Sequence, residues 1–310
     1  MLPEGYTSVP ARPEMAPDLT ALIARYDTRD GGMQDLQVDD IREIFREPHL
    51  DPERDTLLVT RGSDVVACAM LWQRLLHERA MAFGVVDPAH VGLGLGAHIA
   101  DFLDKRGREI QADGGRTLRL HWFIEVNDAA ANALALARGF EVVRGNYTMR
   151  IKFDGSPISA DVPDWMTLRN CTPDDLALCH ELLEETFVEH FGHTARSYKE
   201  WYAGLPSRDD YDQSLWWLAY EGDEPAGILT GFLLDEKTGW VADLGVRKRY
   251  RRRGIGAVLL RTAFEEFQRR GMEAAGLGVD AQNETGAVAL YERVGMSVAR
   301  AYWTYEKNYP

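Results

Sequence analysis

The chain has 310 residues, 45% hydrophobic and 27% charged, the balance of a soluble globular protein of about two domains. With 49 acidic against 35 basic residues its formal charge is −14, which argues against a nucleic-acid partner or an anionic membrane surface. It has no apolar run of the roughly 18–20 residues a membrane span needs and no basic-then-apolar leader pattern, and its three cysteines (Cys68, Cys171, Cys179) form no CxxC and no even framework, so a cytoplasmic protein with reduced thiols is expected.

In chain order, strands are expected over 56–61 and 65–71, with a turn at Asp64. Val85-Val86-Asp87-Pro88 then leads into Gly92, Gly94 and Gly96, a helical pattern over 97–111 and an apolar run over 117–124. Asn127 follows, then Gly139 in Ala137-Arg138-Gly139-Phe140, and a closing strand at 147–153. Residues 154–164 are polar, with a glycine and two prolines, and read as a linker. Beyond it a strand is expected at 166–169. Thr172 then offers a helix N-cap, with Pro173 at the first helical position and Asp174 and Asp175 at the positive helix end. Leu176, Cys179, Leu182, Leu183 and Phe187 have helical spacing, and a second short helix is expected over 197–203. Strands follow at 215–220, 226–234 and 240–246, with turns at 221–225 and 235–239. Then come Arg251-Arg252-Arg253-Gly254-Ile255-Gly256-Ala257, a helix over 257–270, an apolar run over 274–279, Asn283, and Leu290-Tyr291-Glu292-Arg293-Val294-Gly295-Met296.

The two halves repeat. A shift of 160 residues puts Val86 on Val246, Gly94 on Gly254 and Gly96 on Gly256, and the helix, apolar run, asparagine and glycine follow in the same order in both. A duplicated domain is expected, with copies at 1–153 and 165–310 joined by 154–164. Each copy reads β, α, α, β, β, β, α, β, α and two closing strands: an α/β fold whose mixed sheet is mostly antiparallel, flanked by helices, with a late crossover helix.

A glycine-rich turn opening a helix presents backbone N–H groups at a positive helix end, which suits a pyrophosphate; the arginines add charge and bidentate capacity. Gly92-x-Gly94-x-x-Ala97, with Asp113 further on, also matches a dinucleotide fingerprint, but Asp87-Pro88-Ala89-His90 separates it from its strand, and the aligned second copy lacks the pattern. His190 and His193 at i, i+3 have no third ligand cluster beside them, so no metal is expected.

The R-x-x-G-x-G/A loop after the fourth strand, the downstream asparagine and the Tyr291-Glu292-Arg293-Val294-Gly295-Met296 run together resemble the GCN5-related N-acetyltransferase (GNAT) family, in its tandem two-domain form; the doubled members it resembles include mycothiol synthase and acetyltransferases of antibiotic gene clusters. The resemblance implies the acyl-CoA N-acyltransferase fold in both copies and acetyl-CoA as acyl donor. Leu244, Gly245 and Val246 would pair through their backbone with the pantetheine arm. Arg251, Arg252, Arg253, Gly254, Ile255, Gly256 and Ala257 would cradle the pyrophosphate, and Asn283 would touch the pantetheine. Tyr291 would protonate the departing thiolate, a task that suits a phenol with a pKa near about 10; the alternative is a core aromatic. A carboxylate or histidine should take the proton of the attacking amine. Asp243 is one candidate, and its alternative is a solvated or arginine-paired strand residue. Others lie in the segment between the first two helices, where Glu185, Glu189, His190 and His193 would line the acceptor site. Trp216, Trp217 and Trp240 read as core or pocket wall.

The first copy departs from this pattern, with Val91 in place of Arg251 and Ala135 in place of Tyr291. It is expected to be non-catalytic. Val85, Val86, Gly92, Gly94, Gly96 and Asn127 would form a second CoA site there, or the copy serves as scaffold and acceptor-site wall. The expected activity is transfer of an acetyl group to a small-molecule amine by direct attack on the thioester, in a monomer or homodimer. The alternatives are a non-catalytic acyl-CoA-binding protein, another acyl donor, or a hydroxyl acceptor.

Overall fold

The computed structural model describes residues 2–29, 34, 36–191, 193–205, 211–283 and 285–310. Two compact units emerge: unit 1 is Met1–Asn146 with Arg300–Pro310, and unit 2 is Tyr147–Ala299.

Unit 1 runs β1 (Tyr6–Val9), α1 (Ala16–Asp27), α2 (Val38–Phe45), α3 (Pro52–Asp55), β2 (Thr56–Arg61), β3 (Asp64–Leu75), β4 (Arg79–Val86), α4 (Leu95–Gly114), β5 (Leu118–Glu125), α5 (Ala129–Ala137) and the first part of β6 (Glu141–Lys152). Unit 2 takes the rest of β6, then β7 (Met166–Asn170), α6 (Leu176–Phe187), α7 (Tyr198–Gly204), β8 (Trp217–Glu221), β9 (Glu224–Leu233), β10 (Thr238–Val246), α8 (Ile255–Arg269), β11 (Ala274–Asp280), α9 (Ala287–Arg293) and the start of β12 (Ser297–Tyr309).

The strand order is β1-β2-β3-β4-β5-β12 in unit 1 and β7-β8-β9-β10-β11-β6 in unit 2. Neighbours are antiparallel up to the fourth strand of each unit, and the fourth pairs in parallel with the fifth (β4 with β5, β10 with β11), as a crossover helix requires. The mixed α/β fold is therefore as expected, and it occurs twice.

Two sequence expectations differ from the structure. Each copy closes with one long strand, β6 or β12, instead of two. The unit boundaries also depart from 1–153, 154–164 and 165–310, because the strands at the copy ends change places: Tyr302–Tyr309 pair antiparallel with β5 of unit 1, and β6 runs beside β11. A strand's pattern shows which face it buries, and its hydrogen-bonding partner is left open.

Helix signals explain the elements that frame the site. Thr172 and Asp175 make a reciprocal capping box ahead of α6, with Pro173 at the first position. The helices α4 and α8 both begin at a left-handed glycine, Gly94 (φ 83°) and Gly254 (φ 89°). Along α8, Leu259, Ala263, Phe264 and Phe267 fall on one stripe and join Ile228, Leu229 and Ala275 in the core of unit 2. Phe264 and Phe267 are fully buried, a gain of about 1.5–3 kcal/mol each relative to exposure.

Candidate active site

The site of unit 2 is organised by β10. Its register with β9 slips between Val241 and Asp243, so that Ala242 is an extra residue and the strand bulges. Parallel pairing with β11 ends at Val241 opposite Leu277. From Asp243 to Val246 the strand is bonded to β9 on one side, and among the described residues its other edge has no strand partner. Leu244, Gly245 and Val246, expected to meet the pantetheine, all lie on this open edge, where an extended chain could add as a strand. Gly245 lets α6 close on β10 from above, since a Cβ there would stand 2.3 Å from Thr186 Oγ1.

Past β10, Arg251 is extended and donates from Nε to the Val246 carbonyl at 3.0 Å; Arg252 is left-handed (φ 63°), and so is Gly254. The first N–H groups of α8 have no intrahelical acceptor, and with the turn before them they form a concave donor set suited to an anion. The cations around it are unevenly engaged. Arg253 forks onto Glu221 at 2.9 and 2.6 Å and lies 4.4 Å over the Trp165 ring. Arg251 and Lys248 share Glu189 at 3.5 and 3.0 Å. Arg252 has no ion pair among the described residues. Gly256 admits α9, as its Cβ would lie 2.9 Å from Leu290 Cδ2.

Tyr291 follows on α9, 8% exposed, and burial pushes its phenol up to about 12. Among the described residues its hydroxyl has no hydrogen-bond partner. Asp243 accepts a hydrogen bond at 2.7 Å from the hydroxyl of Thr230, which is itself buried on β9. Desolvation raises the Asp243 pKa; the Thr230 hydrogen bond and the charges of Arg196 and His190 act against it. His190 lies in the turn after α6, its ring 4.3 Å from that of Phe187. Burial lowers its pKa, with Asp280 acting in the opposite sense, so the imidazole is neutral at neutral pH.

The remaining expected residues are spread out. His193 pairs with Glu184 at 3.2 Å, and Glu185 takes Arg247 at 2.8 Å, which also reaches Glu181 at 2.6 Å and the Pro225 carbonyl at 3.0 Å. Asn283 uses its side-chain oxygen on Thr285, accepting from the backbone N–H at 2.8 Å and from the hydroxyl, in a turn ahead of α9. Sequence reading missed the bulge at Ala242 and the Thr230 hydroxyl. At the 160-residue shift Ala242 falls on Ala82, so neither carries a signal in the sequence. Among the described residues no group of three or more His, Cys, Asp or Glu is placed to hold a metal ion, and no helix is long and apolar enough to cross a membrane.

Unit 1 repeats the frame with other side chains. Gly92 (φ 85°) and Gly94 (φ 83°) reproduce the left-handed pair of Arg252 and Gly254, and Gly96 meets Leu134 as Gly256 meets Leu290. Val91 and Leu93, 61% and 46% exposed, stand where unit 2 has Arg251 and Arg253. β4 has no bulge at this point: Phe83 opposes Met70 where Asp243 opposes Thr230, and the buried Ala135 stands for Tyr291.

Residues 176–296 match the Acetyltransferase (GNAT) family. The mycothiol acetyltransferase of Streptomyces scabiei is 28% identical over 306 residues, covering 94% of this chain and 93% of that protein. A GCN5-related N-acetyltransferase from Sphaerobacter thermophilus superposes with a TM-score of 0.80 at 28% identity, over 99% of this chain and 97% of the other. A tandem GNAT protein of the clavulanic acid biosynthesis pathway shares the fold, with a TM-score of 0.73 at 15% identity over 98% of both chains.

Proposed function

We propose that this chain, an N-acetyltransferase with a GNAT domain over residues 176–296, moves the acetyl group of acetyl-CoA to the amine of a small molecule, with the chemistry in unit 2. The observation that carries this reading is the open edge of β10 running into the Arg252–Gly254 turn: a strand edge for the pantetheine, then a donor-lined turn for the pyrophosphate. The small-molecule acceptor is supported by a mycothiol acetyltransferase matching along nearly the full length of both chains.

In this reading Asp243 accepts the proton as the amine attacks the thioester carbonyl, directly or through one water. Burial makes it a stronger base than a surface aspartate, and Thr230 fixes the carboxylate. Tyr291 gives its proton to the departing thiolate. A phenol held near 12 keeps that proton in the resting enzyme at neutral pH. His190, neutral and half-buried in the turn beside Glu189, lines the acceptor side together with Glu185 and His193. Unit 1, with Phe83 and Ala135 in place of the base and the acid, is non-catalytic; its left-handed glycine turn at Gly92 and Gly94 retains the shape of a CoA site with Val85, Val86, Gly96 and Asn127 around it.

The test is release of free CoA thiol from acetyl-CoA across a panel of small amines, in the native protein and in Tyr291→Phe. Turnover with at least one amine, lost in the variant, supports the reading. Tight CoA binding with no transfer to any amine would instead make the chain a binding protein.

A further inference from the structure

The three cysteines are all buried, but they are not equivalent. Cys68 sits on β3 in a core cluster of unit 1 that contains no other cysteine. Cys171 and Cys179 lie in unit 2, on either side of the turn that starts α6, with their sulfurs 3.5 Å apart. Cys171 directly follows β7 and is pinned by its N–H to the Trp216 carbonyl at 3.0 Å, while Cys179 faces it from the first turn of α6. The sulfurs need to close by less than the width of one atom to reach the roughly 2.05 Å of a disulfide. We propose that Cys171 and Cys179 are a redox modification site, a dithiol that closes to an internal disulfide when the protein meets a peroxide.

The chemistry balances in two steps. Cys171, 6% exposed against 0% for Cys179, meets the oxidant first. Its sulfur takes one peroxide oxygen and becomes a sulfenic acid, and the other oxygen leaves as water. The Cys179 thiol then attacks the sulfenyl sulfur, the S–S bond forms and a second water leaves; two thiols are oxidised and one peroxide is reduced to two waters. The hydrogen bond between the two thiols and burial both hold the Cys171 thiol protonated, which makes the first step slow. The second step joins sulfurs already in contact, so it outruns further oxidation and the sulfenic acid does not accumulate.

The full-length native protein is exposed to millimolar hydrogen peroxide, quenched, and unfolded in the presence of an alkylating thiol reagent. Titratable thiols should fall from three to one, with a peptide pair linked through Cys171 and Cys179 in the mass spectrum and Cys68 still alkylated. Dithiothreitol should restore all three. Cys179→Ser should lose the linked pair and let Cys171 proceed to sulfinic acid, whereas Cys68→Ser should retain the pair. The proposal is overturned if three thiols remain after an exposure that converts surface methionines to sulfoxide. Sulfinic acid on Cys171 of the native protein, without a linked pair, overturns it equally.

Discussion

In the proposed reaction, burial acts on two acids of unit 2 and gives them opposite uses. Removing Tyr291 and Asp243 from water raises both pKa values. For the phenol this secures a proton to give; for the carboxyl it strengthens a base. Tyr291→Phe should therefore lower turnover by about 100-fold with acetyl-CoA binding by calorimetry unchanged, and unchanged turnover would remove Tyr291 from the chemistry. The pH dependence has a definite sign. Asp243 serves as base only when ionised, so kcat/KM should fall as pH drops through its raised pKa, placing the acidic limb above the about 3.9 of a free aspartate. Tyr291, held near 12, contributes no alkaline fall at lower pH. Thr230→Val removes the hydrogen bond that opposes desolvation, and the acidic limb should move to higher pH. A limb that stays in place in this variant would argue that the observed base is another group.

At the scale of elements, the β10–α8 turn is a cation set already occupied by the protein's own carboxylates. Glu189 sits on Lys248 and Arg251, and at the proposed site a pyrophosphate would have to displace it. Glu189 and Lys248 are well exposed and Arg251 is half-buried, so the competition is weak and screened by salt. Glu189→Gln should tighten CoA binding about two- to fivefold at low salt and by less at high salt, whereas Arg251→Ala should weaken it about tenfold. Equal effects at both salt concentrations would show that Glu189 acts otherwise than by charge. Much of this turn was legible in the sequence, because glycine at Gly254 and the run of arginines carry their geometry and charge in their identity. Gly92 and Gly94 betrayed the repeat for the same reason. The bulge at Ala242 was hidden, since one extra residue in a strand changes its pairing and leaves its composition alone. The pairing of Arg253 with Glu221 was equally hidden: the partners are far apart in the chain, and only the folded sheet brings them together.

The scale of the whole molecule is where the repeat misleads most. Laid side by side, the halves suggest two pieces that could be cut apart at the linker, yet each unit needs a strand from the other half of the sequence. The C-terminal strand is fastened into unit 1 by more than its ladder with β5. Arg300, 8% exposed, bonds Asp27 at 2.7 Å and Glu125 at 3.0 Å, and Glu125 also takes Arg29 at 2.6 Å. Breaking a buried pair by removing one partner costs about 3–5 kcal/mol, so Arg300→Ala should lower the melting temperature of the full chain markedly although it lies ten residues from the C-terminus. The strand exchange itself is tested by cutting the gene where the repeat invites it. A fragment of residues 165–310 would lack Tyr147–Lys152 beside β11 and carry the residues from Arg300 onward without β5. It would therefore expose one bare strand edge and one unpaired strand, both open to edge-to-edge association. This fragment should aggregate, or melt without a cooperative transition in circular dichroism, under conditions where the full chain unfolds sharply. If it instead melts cooperatively near the temperature of the full chain, the second copy closes its own sheet with β12, and the exchange of strands is wrong.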